Sequence, residues 1–188
     1  VYVADFKGGV DFSRTWQRFA HIVTDEQQLL ALLNKLADTL NERKELFREV
    51  DAPNISTYRK KTGEYMQRII FACDEVAELL DKTGADKQRK ELLSQIEARL
   101  ALIARQGRAF GIHLLLATQR PDANILSGQV KNNMNIRICG RADTTLSTII
   151  IGDGRAAEQI PQDAQGRFLM EDGTIFQGYY FDGETVLK

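Results

Sequence analysis

The chain has 188 residues, 43% of them hydrophobic, enough to bury one sizeable core. Its 25 basic residues against 26 acidic ones leave a net charge of −1, which excludes bulk charge as a source of nucleic-acid affinity and confines any such contact to a local patch. Apolar runs of only a few residues exclude a membrane span, no signal peptide is visible, and two cysteines without ligand spacing, Cys73 and Cys139, read as buried thiols in a reducing compartment.

Strand and helix patterns alternate along the chain, which predicts an α/β fold with a mainly parallel sheet. Residues 1–5 read as a strand, followed by a turn at Gly8 and Gly9. Residues 25–50 carry Leu29, Leu33, Leu36, Leu40, Phe47 and Val50 on one stripe, a long amphipathic helix with Thr24 or Asp25 as its N-cap. Residues 51–63 contain Pro53 and the basic run Arg59, Lys60 and Lys61, and read as a loop or short helix. Residues 69–72, Ile-Ile-Phe-Ala, are too short for a helix and read as a fully buried strand. The charged residues 81–90 read as a mobile connection. Residues 91–110 predict a helix with Leu92, Ile96, Leu100 and Ile103 on its buried face and Gly111 as its stop.

Residues 112–117 form a second apolar strand, and residues 124–132 a short helix. Residues 135–140, 167–170 and 175–181 complete the strands, the last two paired as a hairpin around Glu171, Asp172 and Gly173. Trp16 and the Tyr179-Tyr180-Phe181 cluster read as aromatics packed on the core, and His21 and His113 as packed or surface histidines. Arg99 reads as part of a solvated helix face.

Two strand ends carry chemistry. The strand at 69–72 runs into Asp74 and Glu75, at the edge where open parallel sheets place their ligands. This is the Walker B pattern: one carboxylate holds Mg²⁺ through its water shell and the next orients an attacking water. Alone it is a weak signal, because every buried strand must end in something polar. The strand at 112–117 ends in Thr118, Gln119 and Arg120. The Gln119 amide can donate to a phosphate oxygen and accept from water, against the bland alternative of a polar terminus stopped by Pro121.

The segments VADFKGG, IIFACDEVAELL and ARLALIARQGRAFGIHLLLATQRPDANILSGQVKNNMNIRI, in that order, resemble the motor domain of the FtsK/SpoIIIE family of DNA translocases. The resemblance runs over residues 3–181 and is most specific over 99–137. It implies a P-loop, RecA-like sheet flanked by helices, ATP and Mg²⁺ as cofactors, double-stranded DNA as partner, and a homohexameric ring with ATP between subunits. It implies roles as well: Asp74 for Mg²⁺, Glu75 and Gln119 for catalysis, and Thr118 beside Asp74 in the cofactor-binding set. Arg137 and Arg141 are the arginines available to reach a neighbouring subunit's nucleotide. Lys131 lies in the stretch associated with the central channel, where it would meet a DNA phosphate, against the bland reading of an exposed loop lysine. Arg105 and Arg108 are further candidates to face a neighbouring subunit.

The chain departs from the chromosome translocases at Leu146-Ser147-Thr148, where these commonly carry Ser-Arg-Thr; the difference points toward a conjugative-element ATPase. No Gly-Lys dipeptide occurs in the 188 residues, so they hold no G-x-x-x-x-G-K-[ST] phosphate loop, and the sequence opens on Val1. The expectation is one domain over 1–188, the carboxyl-terminal part of a motor domain, inactive alone. The motor would be cytoplasmic, with any membrane attachment made by an upstream region of the parent. The alternatives are a type VII secretion-like motor moving polypeptide and a non-catalytic ring scaffold.

Overall fold

The architecture is taken from a computed structural model, which describes residues 1–6, 12, 14–119 and 128–181. Four short strands make one parallel sheet: β1 (Tyr2–Ala4), β2 (His21–Val23), β3 (Ile69–Cys73) and β4 (Ile112–Leu116), in the order β2-β1-β3-β4. In register, Tyr2 lies opposite His21 and Phe71, and Phe71 opposite Leu114. The predicted turn at Gly8 and Gly9 lies outside the described residues.

Helix α1 (Glu26–Glu49) starts where expected, because the Asp25 side chain accepts hydrogen bonds from the Gln27 and Gln28 amides at 2.9 Å. Helix α4 spans Lys87–Gln106 and so begins four residues earlier than its apolar pattern predicts. Its start is set by Asp86, which caps the Arg89 amide at 2.8 Å, and by ion pairs from Arg89 to Glu26 and from Lys82 to Glu97. The connection expected to be mobile is therefore tied down at both ends. Leu93, not Leu92, takes the fully buried position at the start of the helix stripe.

Together α1 and α4 cover one face of the sheet. Leu29, Leu33, Leu36 and Leu40 meet Leu93, Ile96 and Leu100 over Phe71, Cys73 and Ile112. The strands are not buried on both faces, as their apolar runs predict. Ile70 is 36% exposed and Leu115 61%. Side chains alternate along a strand, so Ile70 and Leu115 share the face away from α1 and α4.

A second cluster ties the amino-terminal edge of the sheet to α1. Phe47 stacks on Tyr58 at 4.8 Å and meets Phe110 at 5.1 Å, enclosing Ala52 and Ile55. Tyr58 and Ile55 come from α2 (Ile55–Thr62), capped by Asn54 at the Thr57 amide and ended by Gly63 at φ 76°. Arg43, only 8% exposed, donates to the backbone carbonyls of Phe110 (2.6 Å) and Gln67 (2.8 Å), so its buried charge is hydrogen-bonded and, among the described residues, forms no ion pair.

The remaining strands do not join the parallel sheet. β5 (Ile138–Cys139), β6 (Arg167–Met170) and β7 (Ile175–Gln177) form a separate antiparallel sheet in that order. Only two of residues 135–140 pair, Ile138 with Met170 and Cys139 with Leu169. The hairpin at 171–173 is present, with Gly173 at φ 90° and its amide on the Met170 carbonyl. Helices α6 (Thr144–Ile151) and α7 (Arg155–Gln159), joined by the buried Ser147 hydroxyl, help close a small core of Cys139, Ile151, Ala156, Ile160 and Leu169. The aromatic cluster after β7 is not core. Tyr179 and Tyr180 are 102% and 93% exposed, because no described element lies over the chain beyond the hairpin. Phe181 and Trp16 instead meet each other at 5.8 Å.

Candidate nucleotide site at the carboxyl edge of the sheet

The chain runs from β1 outward to β2, then back over β1 to β3 and β4. Strand progression thus reverses between β1 and β3, the position where open α/β sheets bind ligands outside their carboxyl ends. Asp5 follows β1 there and Asp74 follows β3, and the Asp74 amide donates to the Ala4 carbonyl at 3.4 Å. Asp5 is 1% exposed. The sequence reading passed over it, although an aspartate directly after an apolar strand and ahead of Gly8-Gly9 was the available signal.

Glu75 stands at the N-cap position of a helix absent from the sequence expectations, α3 (Val76–Leu80), without a side-chain capping hydrogen bond. Its carboxylate is held from the neighbouring strand end. Thr118 Oγ1 donates to one oxygen, and the Gln119 backbone N–H donates to the other at 2.9 Å. The backbone is laced in the same way: Ala117 donates to the Cys73 carbonyl at 2.9 Å and Val76 to the Ala117 carbonyl at 3.0 Å. The Gln119 side chain is exposed at the same edge.

Burial pushes the Cys73 thiol up to about 12, and the carboxylates of Asp74, Glu75 and Asp5 push it the same way against a backbone hydrogen bond in the Glu75 segment that lowers it. The shift reports first the burial of the sulfur and only then the nearby charges of the three acids. Both cysteines are free and buried, as expected.

Four of the expected site residues, Asp74, Glu75, Thr118 and Gln119, therefore come together. The other three lie on different elements. Lys131, half-buried, ends the short helix α5 (Gly128–Lys131), anchored by the buried Val130 against the main core. Residues 124–127 of the expected helix, with Arg120 and Pro121, lie outside the described residues. Arg137 pairs with Glu171 at 3.8 Å, and Arg141 donates to the Gln162 carbonyl. Both arginines belong to the antiparallel sheet and its flanks.

A parallel sheet with paired acids at its reversal point, covered by α1 and α4, is the arrangement of P-loop ATPase domains. The comparisons place it within that class: the chain belongs to the FtsK/SpoIIIE family, whose model matches residues 1–104. The DNA translocase FtsK of Chlorobaculum tepidum is 32% identical over 140 residues, 74% of this chain and 16% of that protein. The solved structure of the pCW3 conjugation coupling protein TcpA, a monomer form with ATPγS, superposes with a TM-score of 0.91 at 40% identity. That match covers 98% of this chain and 53% of the TcpA chain. The cytoplasmic domain of the Thermomonospora curvata type VII secretion ATPase EccC is similar with a TM-score of 0.65 at 25% identity, over 95% of this chain and 21% of that one. The chain thus spans a minor part of the FtsK relative and about half of TcpA. Among the described residues no helix is long and apolar enough to cross a membrane.

Proposed function

We propose that this chain is part, as one domain, of the motor of an ATP-driven translocase that moves double-stranded DNA, working as a cytoplasmic homohexameric ring. The observation that carries the reading is the Glu75 carboxylate, gripped by Thr118 and the Gln119 amide next to Asp74 at the strand reversal. The 40% identity to a conjugation coupling protein solved with ATPγS supports both the nucleotide and the conjugative branch. An upstream region of a longer protein would supply the phosphate loop and any membrane attachment.

Asp74, a carboxylate at the carboxyl end of β3, fits the pattern of Mg²⁺, which takes one or two carboxylates and completes its shell with water and nucleotide phosphates. Bound Mg·ATP would supply charge neutralisation around the transferred phosphoryl group. Asp74 would hold the water shell of the ion. Glu75 would accept a hydrogen bond from the attacking water and orient it. The Thr118 hydroxyl and the Gln119 backbone N–H would keep that carboxylate in one position, and the Gln119 side chain would donate to the γ-phosphate. Arg141, exposed, and Arg137 are the arginines assigned to a neighbouring subunit's nucleotide. Lys131 would contact DNA phosphate as a point charge.

The test is the ATPase rate of the longer protein with and without duplex DNA across a salt series. Duplex DNA is expected to stimulate turnover. Glu75→Gln keeps ATP binding and lowers hydrolysis by orders of magnitude. Lys131→Ala weakens duplex binding about equally across sequences and flattens the salt slope by roughly one unit. Turnover indifferent to DNA but raised by a secreted polypeptide would replace this reading with the secretion motor to which the EccC likeness points.

A further inference from the structure

The amino-terminal edge of the sheet, opposite the carboxylates, carries a feature the nucleotide chemistry does not use. Between α2 and the start of β3 lies an open cleft of about 430 Å³. Arg59, Lys60 and Arg68 line it, with Ser56 and Tyr65, over an apolar floor; no carboxylate does. We propose that this cleft is a second phosphate-binding surface, which grips the sugar–phosphate backbone of the DNA at a point separate from Lys131. The phosphate chemistry is read from the cleft itself; that the phosphates belong to DNA rests on the motor reading above.

Three observations carry the proposal. The first is charge without compensation. Lys61, on the same helix, is engaged by the Val50 and Asp51 carbonyls at 3.0 and 2.7 Å, and Glu64 accepts the Tyr58 hydroxyl at 2.8 Å. Arg59, Lys60 and Arg68, all exposed, form no ion pair among the described residues. In a chain of net charge −1, three unpaired cations in one concave site are a local concentration rather than a reflection of composition.

The second is preorganisation. Arg59 lies over the Tyr65 ring at 5.5 Å, and this cation–π contact holds the guanidinium at the rim instead of leaving it to sample solvent. Tyr65 itself is 75% exposed, so its stacked pair faces outward. The floor is rigid, since Ile55 belongs to the cluster around Phe47 and Tyr58.

The third is the field. His113, on β4, pairs with Ile70 of β3, two residues after Arg68 in the chain. Its imidazole is held below the ordinary value first by burial and then by the charges of Arg68 and Arg108. Arg68 and Arg108 thus both add positive potential at this edge, beside the cations that line the cleft. A compact open site of this kind suits successive phosphates of a strand, and cations there steer a polyanion at long range.

The experiment uses the 188-residue chain labelled for NMR, titrated with a duplex oligonucleotide and, separately, with pyrophosphate, alongside anisotropy measurements of duplex affinity across salt. Duplex DNA is expected to shift the amides of residues 56–68 in a salt-sensitive manner, and Lys131→Ala is expected to leave those shifts in place. The combined Arg59→Ala, Lys60→Ala and Arg68→Ala variant, all at exposed positions, should bind duplex about tenfold more weakly and lose roughly two to three units of salt slope, about 0.9 per phosphate contact. Shifts confined to residues 128–134 would overturn the cleft and leave the motor reading intact. Shifts at 56–68 with pyrophosphate but not with duplex would make this a small-phosphate site and overturn the strand assignment. Duplex that shifts nothing would overturn the cleft proposal, while DNA stimulation of the longer protein's ATPase would decide the motor reading separately.

Discussion

Thr118 donates its hydroxyl hydrogen to the Glu75 carboxylate across 43 positions of sequence. The pair joins the ends of two adjacent strands, and the Gln119 backbone N–H closes the other side of the same carboxylate at 2.9 Å. A glutamate held by two donors at once keeps one orientation, which is what a group positioning a water needs.

That relationship separates orientation from charge. Thr118→Val removes the hydroxyl with little change in volume, and Thr118→Ser restores it. In the longer protein the valine variant is expected to lose about tenfold in kcat with the KM for ATP nearly unchanged. The serine variant should recover most of the rate. Equal rates for valine and wild type would remove Thr118 from the site.

The 188 residues contain no Gly-Lys dipeptide and hence no G-x-x-x-x-G-K-[ST] sequence. In the proposed function Asp74 would act on the ion, not on the phosphate chain, so the isolated chain is expected to bind Mg·ATP weakly and to show no turnover. Calorimetry returning micromolar affinity for this chain alone would contradict the expectation.

Arg43 bonds two backbone carbonyls from opposite sides of the α1 end, those of Phe110 and Gln67. Burial lowers the arginine's pKa from its ordinary value, but the group stays protonated throughout the usual pH range. Arg43→Met keeps the stem and leaves both carbonyls without this donor, at a cost of about 2–3 kcal/mol in chemical denaturation. The neighbouring Gly111, at φ 75°, tests the same corner. A Cβ there would lie 2.5 Å from Ile55 Cδ1, so Gly111→Ala should also destabilise the fold. Unchanged denaturation midpoints for both variants would show that this corner carries no stability.

Cys73 provides a pH-dependent readout of packing. Its folded value is raised to about 12 from an ordinary 9.0, so the folded state holds the proton more tightly than the unfolded state. The associated stability is fully present below about pH 9 and is lost as pH rises toward 12. At neutral pH the native thiol is expected to resist alkylation and to react only as the protein unfolds in denaturant. Rapid modification of native protein, mapped to Cys73 by mass spectrometry, would show the main core to be open.

Much of the fold could be read locally. The Leu29 to Phe47 stripe and the Asp25 cap define α1 within one stretch of chain, and a short apolar run before Asp74 and Glu75 announces β3, because helical periodicity and strand ends are recorded within a few residues. Reading failed where the cause lay elsewhere in the chain. Apolar composition in β3 and β4 suggested burial on both faces, yet Ile70 and Leu115 stand exposed, since coverage depends on which elements cross a face and not on the strand's own residues. Likewise, residues 135–140 and the terminal hairpin looked like members of one sheet, and only hydrogen-bond pairing assigned them to another.

The sequence by itself determined which chemistry stands at each strand end: acids after β3, hydroxyl and amide after β4, and a cationic run along α2. It also determined the family, because those groups follow one another in a distinctive order. Only the tertiary structure decided that Thr118 meets Glu75, that Asp5 joins Asp74 beside Cys73, and that Arg59 and Lys60 share a cleft with Arg68. Parallel pairing places strand ends from distant parts of the chain 4.7–4.9 Å apart laterally, roughly the spacing of any parallel sheet. That lateral order is set by the long crossovers of α1 and α4 packing on one shared face, a global outcome that no short window of sequence records.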